Sequence, residues 1–208
     1  MFDVANTPAI QVFPMPGAPL FATQVEEFTH TFPDGTSSTK IIRSKIYRDA
    51  AGRMRVEWNY KGPDGTSFPV VYLLDPAARS ITILLVPYQI AHRTVLPESQ
   101  PFQVGFPALG EPLPEAQWQT STESLGKRII EGLEVEGTQT TMISTDQPSL
   151  QAVRESWVSR DLGSAALLVE ASGPNWKHAA QMKDIERRGP DPALFVIPSD
   201  FTIQDSEQ

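Results

Sequence analysis

The segment "RMRVEWNY" alternates side chains with a period of two: Met54, Val56, Trp58 and Tyr60 fall on one side, Arg53, Arg55, Glu57 and Asn59 on the other. Only a half-buried β-strand uses that pattern. Similar runs recur along the chain, separated by short turns with their own chemistry. "ATQVEEFTHTF" and "TKIIRSKIYR" flank Pro33–Gly35, where proline presets φ and glycine accepts positive φ. "DAAG", "GPDG" and "DPAAR" then link "RMRVEWNY", "FPVVYLL" and "SITILLV" in turn. Five strands joined by short turns predict an antiparallel meander.

"FPVVYLL" and "SITILLV" are apolar on both faces, as in strands covered on both sides or lining a lipophilic cavity. Residues 87–117 interrupt the rhythm with six prolines (87, 97, 101, 107, 112 and 114), yet carry Tyr88, Leu96, Phe102, Phe106 and Leu109. A long apolar insert of this kind predicts an ordered flap over the sheet. After Trp118 the strand rhythm returns: a strand through Ile129 and Ile130, a turn at Glu131-Gly132, and a return through Val135 to Ile143. "LQAVRESWVS" and "AALLVEA" follow as strands. "KHAAQMKDIERR" has helical propensity, but the meander around it favours a strand. Near the C-terminus, "RRGPDPALFVIPSDFTI" brings Asp191 and Asp200 among prolines and apolar residues. Asp191 before Pro192 matches an N-cap with proline at the first helical position, so "DPALF" is expected to form one helical turn.

The predicted fold is therefore all-β: a single curved antiparallel meander sheet, an open half-barrel of about ten strands, with a proline-rich flap and a short C-terminal helical turn. Residues 1–20 are expected to form an extended proline-rich lead-in, 21–203 one domain, and 204–208 a disordered tail. The 208 residues allow a sizeable core.

Composition narrows the function. A net charge of −8 argues against a nucleic-acid partner. The local cluster Arg43, Lys45, Arg53 and Arg55 reads as a solvated strand face. The absence of cysteine removes disulfides, thiol nucleophiles and thiolate zinc sites. No apolar run approaches the roughly 20 residues of a membrane helix. The first residues lack the basic and apolar regions of a signal peptide, and their proline content is that of a segment following a cleaved one.

Catalytic motifs are absent. There is no G-x-S-x-G, no S-x-x-K and no P-loop; "LGKR" lacks the required spacing. His30, His92 and His178 are far apart in sequence and predict no metal site. Of the paired acids, Glu26-Glu27 and Glu134/Glu136 come first, the latter two facing solvent; Glu155 with Asp161 is the remaining pair, Glu155 expected to be partly buried in a structural ion pair. What remains is apolar. Met54, Val56, Trp58 and Tyr60, with Tyr72 and Leu74, and Ile83 and Leu85, form successive rows. On the concave side of a curved sheet, roofed by Phe102 and Phe106, they would make an apolar groove. If the flap packs into that groove, the same residues are core. The sequence leaves both open and favours core plus a small cavity.

Three stretches carry a resemblance. "SLGKRIIEGLEVEGTQTT" and the Tyr47, Arg48, Asp49, Gly52, Arg53 pattern of "YRDAAGRMRVEW" are similar to uncharacterised exported proteins of acidobacterial type. "ESWVSRDLGSAALLVEA" resembles the Trp-centred hairpin of the LolA/LolB and RseB superfamily, and "PDPALFVIPSDFTI" resembles an ending common to both groups. The resemblance implies a half-barrel whose concave face binds lipid or lipoprotein acyl chains, or senses envelope state, in the periplasm or outside the cell. It implies a non-enzymatic protein with no cofactor, a hydrophobic small molecule or lipid as partner, and an envelope protein as a further one. This chain departs from the superfamily in lacking an N-terminal plug helix and an arginine-bearing lipoprotein-handling signature. A structural or protein-interaction domain with a closed core is the alternative, and an acid-dependent hydrolase the third reading.

Overall fold

The computed structural model describes residues 12–62, 64–98 and 117–206. Six strands run in sequence from the centre of one sheet to its edge: β1 (Leu20–Thr31), β2 (Ser37–Arg48), β3 (Met54–Lys61), β4 (Ser67–Asp75), β5 (Ser80–Leu85) and β6 (Ile90–Val95). Five more begin at the opposite edge and return to the centre: β7 (Trp118–Ile130), β8 (Leu133–Ser144), β9 (Gln151–Ser159), β10 (Ala165–Ser172) and β11 (Trp176–Glu186). β11 lies beside β1, so the two meanders fuse. The chain then crosses back to lay β12 (Thr202–Ser206) parallel to β6. The order is β12-β6-β5-β4-β3-β2-β1-β11-β10-β9-β8-β7, an open sheet with β12 and β7 at its edges.

The all-β half-barrel with its short C-terminal helical turn is therefore as predicted, with twelve strands in place of about ten. The segment from Trp176 to Glu186 is a strand, because β1 and β10 pair with both its edges and tertiary pairing outweighs helical propensity. Asp191 caps a 3-10 turn over Pro192–Phe195, its Oδ1 accepting from Ala193 N at 2.9 Å. Two expectations are corrected. Residues 90–95, assigned to the flap, form β6, a strand short enough to fit between Pro87 and Pro97. Residues 204–206, expected in a tail, belong to β12. Most of the flap, residues 99–116, lies outside the described residues.

Curvature comes from register shifts that the alternation pattern does not reveal. The β1–β11 ladder shifts between Phe21 and Thr23, β9–β10 between Ala166 and Leu168, and β7–β8 between Ser124 and Gly126. Each extra residue bends its strand and adds twist. The main core cluster follows the curve, from Leu20, Ile46, Met54, Val56 and Val70 to Val135, Trp157, Leu167 and Met182.

One buried cation fastens one end of this sheet. Arg48, fully enclosed on β2, donates to three backbone carbonyls: Ala18 O at 2.7 Å, Phe13 O at 2.9 Å and Leu162 O at 2.6 Å. Burial pushes its pKa down to about 10. The lead-in before β1 and the 3-10 turn Arg160–Leu162 between β9 and β10 are thus tied to β2. The adjoining turn supports this tie. Asp49 Oδ1 accepts from the amides of Ala51 and Arg53, and its Oδ2 accepts from Arg53 Nε. Gly52, at φ +85°, lies against the lead-in so closely that a Cβ would stand 2.8 Å from the Met15 carbonyl carbon. The Tyr-Arg-Asp-x-x-Gly-Arg pattern is thus a fastening for the lead-in.

At the other edge, residues 191–201 cover the back of β3–β6. Ile197 and Phe201 pack on Val71, Leu73, Leu84 and Ala91, and Arg55 donates to Leu194 O at 3.0 Å. β12 is held at the surface by Arg93, whose Nε and Nη2 donate to Asp205 at 2.7 and 3.0 Å.

Replacing the guanidinium strands buried carbonyls without a donor. Arg48→Met should lower the unfolding free energy by about 3 kcal/mol, read as a lower denaturant midpoint at unchanged slope. The hydrogen bond from Arg93 depresses the Asp205 carboxyl pKa. The hold on β12 is therefore present at neutral pH and lost as the pH falls through that depressed value. Hydrogen-exchange protection of residues 202–206 should fall in acid, and Asp205→Asn should produce the same loss at neutral pH.

Candidate functional site

Strand register sets the apolar face. Met54 lies opposite Leu74, Val56 opposite Tyr72, Trp58 opposite Val70 and Tyr60 opposite Phe68. On the next strand Leu74 meets Ile81, Tyr72 meets Ile83 and Val70 meets Leu85. Eight of the ten predicted site residues (Met54, Val56, Trp58, Tyr60, Tyr72, Leu74, Ile83 and Leu85) thus share one side of β3–β5. Phe102 and Phe106 lie outside the described residues.

The face is not uniform. Met54, Val56 and Leu74 are fully enclosed, and Trp58 and Tyr60 are only 4% and 7% exposed. These five are core. Phe68, Tyr72, Ile81, Ile83 and Leu85 are half-buried, and Tyr88 beyond them is 61% exposed. Aromatic contacts run along this gradient: Trp58 meets Tyr72 edge-on at 4.7 Å, Tyr60 meets Phe68 at 5.3 Å, and Phe68 meets Tyr88 at 6.0 Å. The partly exposed part of this apolar face is therefore on β4 and β5, beside the enclosed side of β3. Each methylene buried there contributes about 0.8 kcal/mol.

A second feature interrupts the apolar face, and the sequence reading missed it. Gln24, Glu26, Ser44 and His178 are all at most 6% exposed. Gln24 Nε2 donates to Glu26 Oε1 at 2.7 Å, and Glu26 Oε2 stands 3.4 Å from His178 Nε2. Gln24 lies opposite Ser44, which lies opposite Trp58. The polar group thus begins beside the aromatic row and runs diagonally across β1 to β11. Ser44 Oγ and His178 Nδ1 have no hydrogen-bond partner among the described residues. Leaving such atoms dry costs about 1–3 kcal/mol each. Glu26 and His178 are 152 residues apart, and only the β1–β11 pairing brings them together. The usable signal was the polar pair Gln24 and Glu26 at apolar positions of an alternating strand.

Several of the other acids have partners. Glu155 accepts from the Trp157 indole Nε1, and the Arg128 guanidinium stacks 3.7 Å above the Trp157 ring. The partner of Glu155 is thus an indole in place of the expected ion pair. Glu170 stands directly opposite Glu155, and both line a cavity of about 360 Å³ with Glu27, Gln139 and Lys177. Glu134 pairs with Lys127 at 2.8 Å, and Glu136 with Arg160 at 2.7 Å, on the solvent side. Among the described residues, no three His, Asp or Glu side chains gather as metal ligands. The basic cluster is partly consumed by Arg53–Asp49 and Arg55–Glu57 ion pairs.

No family model matches the chain, and no curated protein does either. Solved structures similar in fold include a LolA superfamily protein from Nitrosomonas europaea, at 9% identity and a TM-score of 0.39, covering 90% of this chain and 94% of that one. The lipoprotein LppX of Mycobacterium tuberculosis is similar at 10% identity and a TM-score of 0.38, over 84% of this chain and 90% of that one. LprF of Mycobacterium bovis is similar at 10% identity and a TM-score of 0.36, over 85% and 90%.

Proposed function

We propose that this protein is a non-enzymatic binding or sensing domain of the cell envelope, periplasmic or secreted, that takes the acyl chain of a lipid or lipoprotein against β4 and β5. The observation that supports this reading is the half-buried row of Phe68, Tyr72, Ile81, Ile83 and Leu85 on β4 and β5, beside the enclosed Met54, Val56, Trp58 and Tyr60 of β3. A ligand gains there by burial alone, so neither a cofactor nor a nucleophile is required. The envelope location is supported by the sequence resemblance to exported proteins. Among the described residues, no helix is long and apolar enough to cross a membrane.

Protein purified from cells should carry lipid detectable by native mass spectrometry, and delipidated protein should take up a fluorescent fatty acid. Ile83→Asp should abolish uptake while leaving the thermal midpoint nearly unchanged. Trp58→Asp should unfold the protein instead, because its ring is enclosed. A clean apo mass with no uptake of the probe would favour a closed structural domain.

A further inference from the structure

The two edges of the sheet differ in what they offer another strand. β12 has five residues, whereas β7 runs for thirteen, and no described strand lies outside it. Its outer row of backbone amides and carbonyls is a template for pairing with a second chain. From Gln119 to Ser124 it carries no proline, no lysine and no bulge, the devices that blunt such an edge. Its charges are also left open. Among the described residues Glu123 meets no cation and Arg128 meets no carboxylate; the Arg128 guanidinium rests on the Trp157 ring. Both lie on one side of β7, since Glu123 stands opposite Gln139 and Arg128 opposite Val135. About 13 Å of β8 separates those two partners, so within one chain the acid and the guanidinium stay apart. Ile129, on the other side, is 67% exposed, the most exposed large apolar side chain among the described residues.

We infer that β7 pairs antiparallel with β7 of a second copy of this chain, about a two-fold axis beside Leu125 and Gly126, so that Glu123 stands opposite the partner's Arg128. Side and charge together select this register. The β7–β8 ladder shifts between Ser124 and Gly126, so residues before and after the bulge alternate in opposite phase. Strands of one continuous sheet must match side to side. Glu123 opposite the partner's Lys127 would set opposite faces against each other. Glu123 opposite the partner's Arg128 matches faces throughout: Ser124 meets the partner's Lys127, Thr122 the partner's Ile129 and Ser121 the partner's Ile130. The two-fold axis repeats each contact. Two acid–guanidinium pairs form, and each Ile129 lies against a threonine, a stabilising β-branched cross-strand pair.

The test is sedimentation equilibrium of the full chain over a range of concentrations. The unmodified protein should approach a dimer mass as concentration rises, with hydrogen exchange at residues 119–124 slowing in step. Glu123→Arg and Arg128→Glu each set like charges in contact twice, and each should weaken association about tenfold or more. An equimolar mixture of the two variants should recover the dimer, because every contact between positions 123 and 128 then joins unlike charges again. If loss of the Trp157 contact unfolds Arg128→Glu, Glu123→Arg at its exposed site decides alone. A chain that stays monomeric at every concentration overturns the inference, in favour of a strand from an unlike protein or a bare edge. A dimer that Glu123→Arg does not weaken, or folded variants that stay apart when mixed, overturns it as well.

Discussion

Twelve strands form one sheet because β1 pairs with β11 over most of its length, from Phe21 opposite Glu186 to His30 opposite Trp176. Without that ladder the chain is two separate meanders, each with a raw edge. With it, β1 becomes a central strand flanked by β2 and β11, and every local hairpin acquires a place in a common curve. Arg48 reinforces the same junction from one end. Its three carbonyl contacts join the lead-in, β2 and the β9–β10 turn, which belong to opposite wings of the sheet. Carbonyl dipoles in place of a carboxylate compensate the charge, so the contact keeps a net positive charge inside the fold. Its depressed pKa reflects that cost.

The curve sets how far each strand face is covered. A flat sheet of these strands would bury one face against another layer or expose it. A curved open sheet encloses Met54, Val56, Trp58 and Tyr60 of β3 and leaves Phe68 and Tyr72 of β4 and Ile81, Ile83 and Leu85 of β5 half-covered. Exposure rises from the enclosed Val56 to the half-buried Tyr72 and Ile83. The polar group from Ser44 to His178 crosses this apolar surface at its centre.

Much of this was legible in the sequence. The alternation of "RMRVEWNY" placed Met54, Val56, Trp58 and Tyr60 on one side of a strand, and the turns Pro33–Gly35 and Asp49–Gly52 fall where the hairpins close. The Asp191-Pro192 step was legible as a cap. The residues that escaped did so for a common reason. β6 has no alternation to announce it and lies between prolines. β12 is a short, fully exposed strand that exists only because β6 offers an edge and Asp205 meets Arg93. Glu155 looked like half of an ion pair because the sequence does not show that an indole two residues away turns toward it.

Local chemistry thus determined the all-β class, the hairpin turns, the apolar rows and the absence of a catalytic motif. Alternation and turn preference act over a few residues and are written directly in the chain. Tertiary structure decided the seam between β1 and β11, the register shifts that curve the sheet, the burial of Arg48 and the meeting of Glu26 with His178. Each of these joins residues far apart in sequence, and its free energy depends on solvent exclusion that exists only once the sheet has closed around it.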